Sequence, residues 1–152
     1  MNKNLLAAVF LLGVVACEET FDQPPRAELV ARIAFSSGTK QDNPLISVYG
    51  TGQDSVWISQ VQTDVFNLPL STGESSAFVV LLDSIADTLM VYHENTIHYE
   101  SVESGFYYEH KIKDIRHTFN RIDSLTVLDS AVTQNWNENI KLYITDLPAD
   151  AE

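Results

Sequence analysis

The chain has 152 residues, 45% of them hydrophobic and 20% charged, with a formal net charge of −12 and one cysteine. That length suits a single domain with a real core. The charge repels nucleic-acid phosphates, which excludes nucleic acid as a partner, and a lone cysteine cannot form an intrachain disulfide.

Lys3 precedes an apolar run from Leu5 to Val15, eleven residues interrupted only by Gly13. A membrane span needs roughly 18 to 20 apolar residues, so the run has the length of a signal-peptide core instead. It ends Val14-Val15-Ala16-Cys17, with Cys17 the only cysteine. This resembles a lipobox, the cleavage and acylation signal of bacterial lipoproteins. The resemblance implies removal of residues 1–16 and attachment of acyl chains to Cys17. Each buried CH₂ contributes roughly 0.8 kcal/mol, so two or three long chains hold firmly. The expected mature protein is therefore anchored in the cell envelope, in the outer membrane, with the membrane as its first partner. The competing reading is an ordinary secretory signal with a chance cysteine. Glu18 and Glu19 follow directly and resemble an acidic surface-export signal; a solvated acidic tether explains them equally. Lys3 is the only charged residue of segment 1–16, so the expected mature chain carries one positive charge fewer, −13.

Residues 17–25 read as the lipidated cysteine and its tether, closed by the stiff pair Pro24-Pro25. Residues 26–147 read as one β domain, and 148–152 as an acidic tail. Leu29, Ala31, Ile33 and Phe35 alternate with polar or small residues, the period of a half-buried strand. Ile46 and Val48, then Val56 and Ile58, flank the Gly50-Thr51-Gly52 turn. Phe66, Leu68 and Leu70 alternate, and Pro69 marks that strand as an edge or bulge. Ala77 to Leu82 is continuously apolar, which predicts a central strand covered on both faces. Leu89–Tyr92, Ile97–Tyr99, Phe106–Ile112, Leu125–Leu128 and Ile140–Ile144 complete the set, with a short helical turn allowed over 113–121. Short strands at this spacing predict an all-β fold, an antiparallel β-sandwich of about 8 to 10 short strands. The alternative is a small calycin-like barrel holding an apolar ligand.

Val48-Tyr49-Gly50-Thr51-Gly52-Gln53-Asp54-Ser55, Leu68-Pro69-Leu70, Asp87-Thr88-Leu89, Gly105-Phe106 and Trp136 within Asn135-Trp136-Asn137 are short motifs spread over most of the expected mature chain. Together they resemble an uncharacterised family of Bacteroidetes lipoproteins of about this length. The resemblance implies location and fold but no activity. Members of that family often carry a cysteine before the Gly-Phe pair and another near the mature N-terminus; here Ser104 stands at the first position and the second is missing.

Catalytic chemistry is thin. Gly50-Thr51-Gly52-Gln53-Asp54 lacks the lysine and following helix of a phosphate loop, so a hairpin turn explains its glycines. His93, His98, His110 and His117 form no metal-binding spacing, so no metal or cofactor is expected. His93 and His98, flanking a turn at Glu94-Asn95, could meet across a hairpin with Glu100; surface histidines are the simpler reading. There is no Gly-x-Ser-x-Gly elbow and no Ser-x-x-Lys. The chain therefore reads as non-enzymatic, a binding or structural module. A rival hydrolase reading needs two converging carboxylates in a cleft.

Two features point to partners. Trp57 and Trp136 are candidate platforms for a sugar ring, with Tyr49 and Tyr107 as lesser ones, which suggests a glycan or an envelope protein as partner. Trp136 reads equally as a plug over the core edge. Asp, then Ser or Thr, then an aliphatic residue recurs at Ser55, Ser84, Thr88, Ser124 and Ser130. This resembles the O-glycosylation sequon of Bacteroidetes envelope proteins, and it is also what Asp and Ser do in turns before a strand.

Overall fold

The computed structural model describes residues 26–38, 42–52 and 56–146, so Cys17, Glu18, Glu19, Ser55 and the acidic tail lie outside the described residues. Ten strands follow in chain order: β1 (Glu28–Phe35), β2 (Leu45–Gly50), β3 (Val56–Gln62), β4 (Val65–Pro69), β5 (Ser75–Leu82), β6 (Ile85–Ser101), β7 (Gly105–His117), β8 (Ile122–Val127), β9 (Ala131–Val132) and β10 (Glu138–Ile144). They form two sheets, β4-β1-β10-β8 and β3-β2-β5-β6-β7-β9. One of the sheets is curled into a half-barrel, within the sandwich or barrel-like architecture that the alternating pattern predicts.

The core is the inward-facing set of both sheets. Leu29, Ala31 and Ile33 of β1, Val48 of β2, Leu68 of β4, Phe78, Val80 and Leu82 of β5, and Leu142 and Ile144 of β10 share one buried cluster. Each buried aliphatic side chain of this size contributes roughly 1.5–3 kcal/mol. Strand β4, with Pro69 at its end, is an outer strand of its sheet, where a residue without a backbone N–H is tolerated.

The structure corrects four expectations. The sandwich is not wholly antiparallel: β1 pairs with β10 in parallel. A parallel pair needs a long connection, and here nearly the whole domain supplies it. Strand β5 is interior, but only one of its faces is fully buried; Ala77, Val79 and Leu81 are half-buried. Nor are all strands short. The expected turn at Glu94-Asn95 does not exist, because Leu89–Tyr92 and Ile97–Tyr99 belong to one continuous strand of 17 residues. Residues 113–117 are strand, not helix. A register shift in β7 lies opposite Tyr92/His93: Tyr92 pairs with Asp114 and His93 with Ile112, leaving Lys113 as an extra residue. The bulge turns both Ile112 and Ile115 toward the core, and that three-residue spacing imitates a helical period in the sequence.

Two buried polar groups fasten loops to this frame. Asp87, 1% exposed, accepts hydrogen bonds from the Thr118 hydroxyl (2.7 Å) and from the backbone N–H groups of Asn120, Arg121 and Ile122 (2.9, 2.7 and 2.8 Å). Burial pushes its pKa up, but these four donors outweigh it and hold the carboxyl below its usual 3.8. Asn139 fills the irregularity between β1 and β10. It accepts from Val30 N–H (2.9 Å) and donates to the carbonyls of Asp129 (3.1 Å) and Ala131 (2.8 Å).

Candidate functional site

Two hollows adjoin the end of β4, the first between β7 and the residues just before β1, the second between the end of β2, β3 and the start of β5. The first, about 390 Å³, is lined by Arg26, Pro69, Leu70, Phe106, Tyr108 and His110 among others. The second, about 360 Å³, is lined by Trp57, Thr51, Ser71, Ser75, Ser76 and Phe78 among others. Both also include Pro69 and Leu70, where they adjoin as one groove. Each half is large enough for a small ligand. The walls combine aromatic rings with hydroxyls, the chemistry that receives a sugar's apolar face and its hydroxyl groups.

Under the groove lies a buried polar cluster. Asn95 Oδ1 is 2.7 Å from Nδ1 of both His93 and His110. Its amide N–H groups donate to the carbonyls of Thr72 (2.7 Å) and Gly73 (2.6 Å). Those two bonds fix the amide's orientation, so its oxygen accepts a hydrogen bond from each ring's Nδ1–H. His93 Nε2 is 3.0 Å from the Ser76 hydroxyl, and Ser76 Oγ accepts the Ser71 N–H (2.8 Å). The rings meet edge to face, 5.1 Å apart. Burial, with His93 beside it, pushes His110 from its ordinary 6.5 down to about 4.

Ser76, His93 and Asn95 stand in the order nucleophile, base, orienter. The surroundings favour a structural role. Ser76 and His93 are buried, and the Ser76 oxygen already accepts a backbone N–H that ties down the β4–β5 loop. His110 Nε2 differs: it has no hydrogen-bond partner among the described residues and His110 lines the first hollow, so it is a ready acceptor there.

This cluster departs from the sequence reading, in which the histidines are surface residues. His93 and His110 are 2% and 6% exposed. The signal was present: His93 shares the period-two face of Leu89 and Val91, and His110 that of Ile112. The suggested meeting of His93, His98 and Glu100 does not occur. His98 faces the other side of the strand, stacks on Tyr107 and pairs with Glu109 at 3.2 Å. Among the described residues no three His, Cys, Asp or Glu side chains gather as metal ligands.

The two tryptophans do not form one row. Trp57 is 48% exposed and lines the second hollow. Trp136, also 48% exposed, is drawn over the chain's start by a hydrogen bond from Nε1 to the Arg26 carbonyl (2.8 Å). Tyr49 is half-buried. Of the serine and threonine candidates, Ser84 and Ser124 are exposed, while Thr88 and Ser130 are half-buried. Asp83 and Ser84 both have positive φ (50° and 73°), the signature of a type I′ turn joining β5 to β6. Asp129 Oδ1 accepts the Ala131 N–H (2.9 Å), a local turn of the kind Asp makes.

A family model described as a family of unknown function, DUF6452, matches residues 45–144, from the start of β2 to the end of β10. No curated protein and no solved structure gives a match.

Proposed function

The chain belongs to the DUF6452 family of unknown function, and we propose that it is a non-enzymatic binding module tethered to the cell envelope through an acylated Cys17. The carrying observation is the sequence Val14-Val15-Ala16-Cys17 at the end of an eleven-residue apolar run, with no other cysteine in the chain. The outer membrane is the proposed site of anchoring. On this reading the surface-exposed groove is the working part, and a glycan of the envelope is its ligand. Trp57, half-exposed at the groove's second hollow beside Thr51, Ser71 and Ser75, supports that class. A flat ring beside clustered hydroxyls suits a pyranose better than a charged or purely apolar ligand.

The test is a glycan array probed with the mature chain, followed by titration of any hit with Trp57→Ala. Loss of a central aromatic contact costs about 1–2 kcal/mol, so affinity falls roughly tenfold. Binding that ignores Trp57→Ala removes the second hollow as the site.

A further inference from the structure

The end of the β6–β7 hairpin is an arm that outruns the rest of its sheet. Pairing with β5 stops at Tyr92, and pairing with β9 involves only His110 and Lys111. Residues 96–101 and 105–109 therefore pair with each other alone. A two-stranded hairpin is marginal in water by itself, which makes the chemistry of its two faces decisive.

One face is polar and internally paired. Glu94 meets Lys113 at 2.7 Å, and His98 meets Glu109 at 3.2 Å while stacking on Tyr107. The other face continues the core-facing row of Leu89, Val91 and His93 past the cover of the opposite sheet. Ile97 stands opposite Tyr108 and Tyr99 opposite Phe106, with the last two rings 5.2 Å apart. Ile97, Tyr99 and Phe106 are 56%, 59% and 64% exposed, and Val102 at the tip is 86% exposed. No charged side chain lies on this face between Asn95 and Tyr99 or between Phe106 and His110. Uncovered apolar area of this kind marks an interaction surface.

The start of the domain indicates the occupant. Arg26 lines the hollow at the root of the arm together with Phe106 and Tyr108. Cys17 is nine residues upstream, and nine residues span at most about 30 Å. An acyl anchor on Cys17 therefore holds the arm within about 30 Å of the bilayer. Tyrosine and phenylalanine flanked by aliphatic residues are the side chains that settle at a lipid–water interface. We propose that the uncovered face of the β6–β7 arm rests in the headgroup region of the membrane beside the protein's own anchor, fixing the orientation of the domain. The inference rests on acylation of Cys17, and its test is built to be independent of that step.

The mature chain is prepared with Cys17→Ser and an N-terminal histidine tag, and held on phosphatidylcholine–phosphatidylethanolamine vesicles by a nickel-chelating lipid. Single cysteines introduced as Tyr99→Cys, Phe106→Cys or Phe119→Cys carry an environment-sensitive nitrobenzoxadiazole label. Phe119, 75% exposed, follows β7 at the far end of the hairpin and serves as the control. The expected result is a several-fold rise and blue shift in emission at positions 99 and 106 on binding vesicles, with no change at 119. Two label sites guard against one variant failing to fold. No change at 99 and 106 overturns the proposal, as does an equal change at 119. A label already shielded before vesicles are added also overturns it: the tether covers the face if deleting residues 18–25 restores exposure, and a second copy covers it if sedimentation shows a dimer. Because the tag supplies the tether, an unacylated Cys17 in the native protein would refute the anchor and leave this answer intact.

Discussion

His110 shows how one residue's surroundings set its chemistry. It shares the inward face of β7 with Ile112, and its Nδ1–H donates to Asn95 Oδ1. The side chains around it, Asn95 and His93, carry no negative charge that would hold a second proton. Its folded pKa of about 4 lies below the ordinary 6.5. Below 6.5 the unfolded chain takes up a proton that the folded chain refuses, so this group's contribution is full above 6.5 and is lost as pH falls toward 4. The loss between pH 7 and pH 5 amounts to about 2 kcal/mol. Urea unfolding at the two pH values should show that difference in the native chain and a much smaller one in His110→Gln. Parallel behaviour of the two proteins would mean that His110 is charged in the fold. The alternation of apolar side chains already put His93 and His110 on the inward rows. What it could not supply was Asn95, which makes two inward imidazoles tolerable by accepting from both.

Among the elements, the hairpins show which features a single sequence displays and which it hides. The Asp83-Ser84 pair reads as a turn in the sequence, and both residues adopt the left-handed conformation that a two-residue connection between β5 and β6 demands. A serine there carries a conformational cost of roughly 1 kcal/mol relative to glycine. Ser84→Gly should accordingly raise stability by about 0.5–1 kcal/mol, read as a Tm increase of a few degrees, provided the Asp83 contacts to Leu45 N–H and Arg121 persist. A fall in Tm would show that the Ser84 hydroxyl has a partner of its own. The length of β6 was harder to read, because Glu94-Asn95-Thr96 is polar and resembles a break. It is strand because Asn95 is consumed by the histidine cluster and Glu94 by Lys113. The bulge at Lys113 was invisible for a related reason: pairing register depends on the partner strand, so a three-residue spacing of isoleucines reads as helix until β6 is placed beside it.

At the scale of the whole molecule, two sheets enclose one core. The all-β architecture was legible because each strand carries its own period, and the core follows from summing those inward faces. The parallel β1–β10 pair was not, since nothing local records that two chain-distant segments become neighbours. The groove was equally hidden: Pro69 and Leu70, Trp57, Phe106 and Arg26 come from four different stretches of chain. The formal charge of −12 disfavours binding to anionic lipid through charge, which suits the proposed place beside a membrane.

The most direct measurement is the mass of the N-terminal peptide of the protein purified from membranes of its native host. The account predicts a peptide that begins at Cys17 and carries a diacylglyceryl group, with Cys17→Ser protein lost from the membrane fraction. The intact mass of the same sample reports any hexose on the exposed Ser84 or Ser124. A mature chain that starts elsewhere, or begins at an unmodified Cys17, would contradict the account.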